Sequence, residues 1–285
     1  MANQHSFDVQ EVEYLSHHGK PLVAKLYRPR GQGPFPAVID VHGGAWCNLD
    51  RHSDTYLGET LAKAGIVVAS VDFRMPPWAS YPGSLADINF AIRWLKSHAE
   101  EFGTRPQRVG IFGVSSGGHQ AMLLGMLPKE PRYSAIPNPA GAPAVDATVC
   151  CVALFCPVIS PLGRYRYAKK IKEGGKPYPD YIDNVLPAHD KYWITEEAMA
   201  DGDPVLVLER GEPIATPPVL YLQSGIDLVH PEADRHRFVA GYRKAGGKLT
   251  LEVFEGQGDR FLRDYPKTDA SVRAMNMLIE FIQRY

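Results

Sequence analysis

Six short runs of apolar, largely β-branched residues recur along the chain, at positions 37–41, 66–71, 109–112, 149–155, 219–223 and 249–254, each bounded by Gly, Pro or Asp. Their hydrophobicity is nearly continuous rather than alternating, which predicts strands buried on both faces, as in a parallel sheet covered by helices. Helical patterns fill the intervals. Leu85, Ile88, Ile92 and Leu95 recur at helical spacing after Ser84 and Asp87, which together resemble a capping box. Further helices are expected over 120–127, over 232–245 where Gly246 and Gly247 stop the pattern, and over 270–285. Strand and helix in repeated alternation specify an α/β fold with a mostly parallel central sheet flanked by helices. Before it, residues 7–14 and 23–27 alternate well enough to form an antiparallel entry hairpin.

Two stretches interrupt the rhythm. Residues 128–147 carry five prolines, at 128, 131, 137, 139 and 143, and read as an excursion loop. The segment from about 160 to 217 holds no clear strand, begins with basic and aromatic residues, and has a short helical section near 195–200. Placed between two sheet strands, it is expected to be a cap or lid within one domain spanning 1–285.

Charge and composition narrow the function classes. Lys and Arg total 31 against 32 Asp and Glu in 285 residues, so no electrostatic excess favours nucleic acid or an anionic membrane. A small-molecule substrate is the expected partner. No apolar run reaches transmembrane length and the N-terminus lacks the basic and apolar regions of a signal peptide, which sets a cytoplasmic expectation. Cys47, Cys150, Cys151 and Cys156 have no paired metal-ligand spacing and read as reduced thiols. No metal, nucleotide or flavin motif is present, and no cofactor is expected.

Two glycine-rich turns carry chemistry. After the 109–112 strand comes Gly113-Val114-Ser115-Ser116-Gly117-Gly118-His119, a G-x-S-x-G between an expected strand and an expected helix. The small residues at 113 and 117 suit a strained turn that lifts Ser115 to the mouth of the sheet. The Ser116 amide at the helix start is then aimed at the same place and can stabilise an oxyanion. After the 37–41 strand comes His42-Gly43-Gly44-Ala45-Trp46, where Gly43 and Gly44 can offer backbone N–H groups without obstruction. His42 reads as a brace for that loop.

The order HGGAW, VDFRMPPWASYPGSLADINFAIRWL, GVSSGGH closely resembles the α/β-hydrolase fold, in the branch of hormone-sensitive-lipase-like esterases and kynurenine-formamidase-like enzymes. The resemblance runs from Phe35 to Tyr285 and is strongest over 38–127. It implies that Ser115 is the nucleophile, that Gly43, Gly44 and Ser116 form the oxyanion hole, and that Asp227, after the 219–223 strand, is the catalytic acid. Members of the family often form homodimers, a partner expectation carried by the resemblance alone.

The last member of the triad departs from the pattern. The family places a histidine in the loop after the final strand, and here that loop is Glu255-Gly256-Gln257-Gly258-Asp259-Arg260. Asp259 stands where the imidazole is expected, and the last histidine of the chain is His236. A carboxylate with a reference pKa near ~3.9 is a poor proton shuttle for serine. Loss of the base costs roughly 10⁴ to 10⁶ in rate, whereas an oxyanion hole and pocket retain roughly 10³ over water.

Three readings follow. One is a serine carboxylic-ester or amide hydrolase with an atypical Ser115, Asp227, Asp259 site. Another is a non-hydrolytic cyclase, isomerase or lyase in which Asp227 and Asp259 share a proton. The third is a pseudo-hydrolase that binds a small ligand. His230, three residues after Asp227, and His119, four after Ser115, are candidate substitute bases; Arg260 is a candidate neutralising partner for Asp259. Trp46, Phe73, Met75, Trp78 and Tyr81 follow strands at the same sheet edge, either as pocket walls or as packing. Arg74 reads as a salt-bridge partner, and Arg164, Arg166, Lys169 and Lys170 as a solvated helix face.

Overall fold

The computed structural model describes residues 4–138, 142, 144–175, 177, 178 and 180–285; Pro139 and Pro143 of the proline-rich excursion lie outside the described residues. An eight-stranded sheet runs in the order β1-β2-β4-β3-β5-β6-β7-β8. Its strands are β1 (Phe7–His17), β2 (Lys20–Pro29), β3 (Phe35–Val41), β4 (Val67–Val71), β5 (Thr104–Val114), β6 (Val152–Phe155), β7 (Val219–Ile226) and β8 (Leu249–Gly258). The hairpin β1–β2 is antiparallel and joins β4 antiparallel; every pairing from β4 through β3 to β8 is parallel. β4 and β6 are buried on both sides along their whole length and β3 from its second residue on, in keeping with their unbroken apolar runs, whereas β8 at the sheet edge is largely half-buried or exposed.

The helices are α1 (Thr55–Lys63), α2 (Gly83–Ser97), α3 (Ser116–Met126), α4 (Pro161–Glu173), α5 (Ile182–Trp193), α6 (Glu196–Asp201), α7 (Pro204–Glu209), α8 (Glu232–Lys244), α9 (Phe261–Asp264) and α10 (Asp269–Arg284). Because side chains alternate across a strand, β3 sends Ala37, Ile39 and Val41 to a core shared with α2, α3 and α8, while Val38 joins a second core with α1 and α10 on the opposite face. The two cores bury most of β3, β4, β6 and β7 and the second half of β5, so the carboxyl ends of β3, β5, β6, β7 and β8 are the places where loops carry polar groups.

The expected capping box is absent. Helix α2 begins one residue earlier with Pro82 at its N-cap, and the two side chains point elsewhere. Ser84 Oγ meets the Tyr192 hydroxyl at 2.6 Å, and Asp87 binds Arg74 and His17. Tertiary partners outcompete a local cap here because both groups are fully buried.

Four helices, α4 to α7, occupy the span between β6 and β7. One carboxylate holds two of their starts together. Asp203 caps α7 by accepting from the Val205 and Leu206 amides, and it also accepts from Ser160 Oγ at 2.5 Å, the residue that caps α4. The inner side of the insert packs on Trp46. That indole is fully buried, stacked on Tyr192 at 5.4 Å and edge-on to Trp193 and His119. Arg164 corrects the expectation of a solvated face: it is 3% exposed, with its guanidinium over the Trp46 ring, while Arg166 and Lys169 pair with Glu196 at the surface. Among the described residues no helix is long and apolar enough to cross a membrane.

Candidate active site

Ser115 joins β5 to α3 at φ 52°, ψ −117°, a region that costs a non-glycine residue energy and persists only where the surroundings impose it. The imposing contacts are visible. The Ser115 amide donates to the Phe155 carbonyl at 3.0 Å, and its carbonyl accepts from the Val158 and His119 amides. A Cβ on Gly117 would sit 2.0 Å from the Val41 carbonyl oxygen, and one on Gly113 would sit 2.3 Å from the Gly117 carbonyl oxygen. Backbone alone fits at both places, which explains the spacing of small residues read in the sequence.

The Gly43–Gly44 loop lies directly against this turn. A Cβ on Gly43 would meet the Val114 carbonyl at 3.2 Å and the Ser115 Cβ at 3.4 Å; Gly44 has φ +95°. The Gly44 carbonyl accepts from the Cys47 and Asn48 amides and locks the turn. The Trp46 amide donates to Ser116 Oγ at 3.1 Å, tying the loop to the first residue of α3. Ser116 is fully buried at that helix start, where amides lack intrahelical acceptors. His42 braces the loop as expected, with Nδ1 on the Gly43 carbonyl side at 2.9 Å and its ring stacked 4.3 Å from Phe73.

Ser115, Gly43 and Gly44 open onto a cavity of about 250 Å³. Its apolar wall includes Leu49, Leu57, Phe155, Leu262 and Met275, and its polar rim includes Asp54, His230, Asp259, Arg260 and Arg263. These wall residues were not identified from the sequence, because the loop after β3, α1, β6, α9 and α10 contribute them singly and no motif marks them. None of Trp46, Phe73, Met75, Trp78 or Tyr81 lines this cavity; Trp46 and Phe73 are core, and Tyr81 bonds Tyr133 and Asp201. Arg74 is the salt-bridge partner of buried Asp87. A larger open depression of about 800 Å³, walled by Lys96, Asp146 and Cys150, lies elsewhere and contains none of these groups.

Asp227 sits just beyond β7, with side-chain exposure of only 5%. Its Oδ1 accepts from the Val229 and His230 amides at 2.8 and 2.9 Å, and its Oδ2 accepts from Gln223 Nε2 at 2.6 Å and lies 2.8 Å from His230 Nδ1. Burial opposes ionisation, but the His230 charge and these hydrogen bonds outweigh it and hold the carboxyl down at about 2. Asp259 lies on the cavity rim after β8. Burial and then the negative charge of Asp227 raise its pKa, with His230 and Arg260 opposing. Asp227 and Asp259 therefore meet through their fields, while the direct hydrogen-bond partners of Asp227 are Gln223, Val229 and His230. The Arg260 guanidinium binds Asp264 at 3.1 Å.

Two other histidines near the site are fully occupied or remote. His119 is buried, receives the Trp46 Nε1 proton at Nδ1 (3.2 Å), and uses Nε2 for the Gly202 carbonyl at 2.7 Å; burial pushes it down to about 4. His236 is exposed on α8 beside Glu232.

A family model described as BD-FAE matches residues 25–149, the stretch that holds both glycine-rich turns. Esterase LipC of Mycobacterium tuberculosis is 27% identical over 256 residues, covering 88% of this chain and 59% of LipC. The carboxylic ester hydrolase LipN of the same organism is 37% identical over 122 residues, 41% of this chain and 32% of LipN. The chain thus spans about three fifths or less of these curated relatives. The crystal structure of EstE1, a thermostable carboxylesterase cloned from a metagenomic library, superposes with a TM-score of 0.77 at 22% identity, over 99% of this chain and 90% of EstE1.

Proposed function

We propose that this chain, which has the α/β-hydrolase fold, is a serine-dependent carboxylic-ester hydrolase acting on small esters. The observation that carries the reading is the strained Ser115 turn, packed against the Gly43–Gly44 loop and opening with it onto one apolar-walled cavity. The similarity to LipC and LipN, named as ester hydrolases, supports the same class.

In this reading Ser115 Oγ attacks the ester carbonyl carbon as its proton passes to a base. The carbonyl electron pair moves onto oxygen, and the amides of Gly43, Gly44 and Ser116 stabilise the resulting oxyanion; one such donor is worth about 10² to 10³ in rate. Collapse of the tetrahedral intermediate expels the alcohol and leaves an acyl-serine, which water cleaves by the reverse sequence. The cavity volume of about 250 Å³ suits a short acyl group bounded by Leu57, Phe155 and Met275. Helices α4 to α7 are the cap of the domain in this reading. Asp227 is the acid of the site, and Asp259 is a second carboxyl on the cavity rim, its pKa raised by burial and by Asp227.

Hydrolysis of p-nitrophenyl acetate and p-nitrophenyl butyrate tests the reading, together with covalent labelling by paraoxon. Turnover that falls by about 10⁴ or more in Ser115→Ala, with the phosphoryl group mapped to Ser115, is the expected result. Absence of labelling combined with turnover no higher than that of Ser115→Ala removes the serine-hydrolase assignment.

A further inference from the structure

We infer that His230, carried on the acid loop itself, is the general base of this site, in place of the residue at 259. The inference rests on the serine-hydrolase reading above and completes it. Three observations carry it. First, the Asp227 Oδ2 to His230 Nδ1 distance is 2.8 Å, the orienting contact that fixes an imidazole tautomer with its proton on Nδ1 and a free lone pair on Nε2. Second, His230 Nε2 is buried, in a side chain only 8% exposed, and has no hydrogen-bond partner among the described residues. Third, His230 lines the same cavity as Ser115, Gly43 and Gly44.

A purely structural role would account for less. The turn from Asp227 to His230 closes through Oδ1, which accepts both the Val229 and His230 amides. That turn needs no ring at 230. The ring nitrogen on Oδ2 is an additional contact, and a buried nitrogen left unpaired costs free energy; His42 Nε2 is unpaired as well, and what sets His230 apart from it is the carboxylate behind the ring and the place on the cavity lining. Among the other histidines close to Ser115, His119 has both nitrogens engaged, and His42 is stacked on Phe73 outside the cavity lining. Asp259 has the weaker claim. Its carboxyl has no aspartate or histidine bonded behind it to position it, and it shares its charge environment with Arg260.

The proton balance is that of an acyl transfer. His230 Nε2 takes the Ser115 Oγ proton as the Oγ–C bond forms, becoming imidazolium against ionised Asp227. It returns that proton to the departing alkoxide oxygen as the C–O bond of the ester breaks. In the second half it takes a proton from water and gives it back to Ser115 Oγ as the acyl group leaves. Without substrate, Nε2 makes no hydrogen bond to Ser115 Oγ; such contacts tighten when the substrate excludes solvent.

The test compares variants of the full chain on p-nitrophenyl butyrate. His230→Gln and His230→Gly are expected to lose about 10³ or more in kcat with little change in KM, and added imidazole is expected to restore part of the His230→Gly loss. His236→Gln, a surface change on α8, is expected to leave turnover unaltered, and Asp259→Asn to lose far less than the His230 variants. Thermal midpoints close to the parent's separate a lost base from a lost fold. If His230→Gln retains activity within tenfold while Asp259→Asn loses about 10³, the base is Asp259 and the inference fails, although the serine hydrolase stands. If the parent neither turns over the ester beyond Ser115→Ala nor takes the paraoxon label, the functional reading itself fails.

Discussion

Ser115 occupies a left-handed backbone conformation because its neighbours leave no other path. Gly117 shows how little room there is: the position of a Cβ there falls 2.0 Å from one backbone carbonyl oxygen and 2.4 Å from the next, those of Val41 and His42. Neither atom can rotate away as a side chain could. Gly117→Ala must therefore push the Ser115 turn off the Gly43–Gly44 loop. Overpacking against a side chain costs about 1–3 kcal/mol, and a rigid backbone clash belongs at the top of that range. The expected result is a thermal midpoint lowered by several degrees and esterase turnover reduced by at least 10²-fold, read by calorimetry and by p-nitrophenyl butyrate assay. Unchanged turnover would mean that the turn tolerates displacement. Both glycine-rich turns were legible in the sequence because their requirement is steric and local. The role of His230 was far less so: a histidine three residues after an aspartate is unremarkable until the fold shows the ring on Oδ2 and Nε2 left free.

At the scale of elements, the α4–α7 insert and the Gly43–Gly44 loop share Trp46 as an anchor. Trp46 follows the glycine pair, bonds Ser116 through its amide and His119 through its indole, and is enclosed by Tyr192 and Trp193 of α5. Truncation of a fully buried aromatic costs about 3–5 kcal/mol. Trp46→Ala is expected to lose that much in urea unfolding and, because the loop loses its bracing, to lose kcat more than a comparably buried substitution remote from the site such as Phe102→Leu. Equal kinetic losses in the two variants would show that Trp46 is core and nothing more. The sequence marked Trp46 as either wall or packing, and packing is the outcome. The insert was recognised by what it lacked, a strand; its first helix read as a solvated face, and the polar pattern alone gave no sign that Arg164 buries its charge over Trp46. Helix α5 carries Pro187 within it and gave a weaker signal still.

For the whole molecule, buried titrating groups of opposite sign set the response to acid. Burial raises Asp203 to about 6, with Ser160 and the α7 amides opposing. Its native state therefore binds a proton that the unfolded chain does not between pH ~6 and ~4, and this group adds stability as pH falls through that window. Burial lowers His119 to about 4. Its unfolded state takes up the proton first, from pH ~6.5 downward, so this group removes stability over nearly the same window. Each contribution is on the order of 2–3 kcal/mol. Urea unfolding at pH 6.5 and pH 4.5 separates them. Relative to the parent, Asp203→Asn should become less stable on acidification and His119→Gln more stable. A parallel shift of all three proteins would refute the assignment. The sheet itself was readable from two-sided apolar runs, including the order of strand and helix; β8 runs on to Gly258, past the expected end at 254, because its pairing with β7 outlasts the apolar pattern.

Asp227 and His230 lie within four consecutive positions of one turn, bonded to each other and closed by the same carboxylate. In the proposed mechanism they are acid and base, and residues encoded so closely are inherited together: a crossover anywhere outside a dozen nucleotides moves both or neither. The loop after β8 is then free to be exchanged between related genes. Gly258, the last residue of β8, has open space around it, so foreign sequence can enter the loop that follows it at low structural cost while the Asp227–His230 pair stays intact.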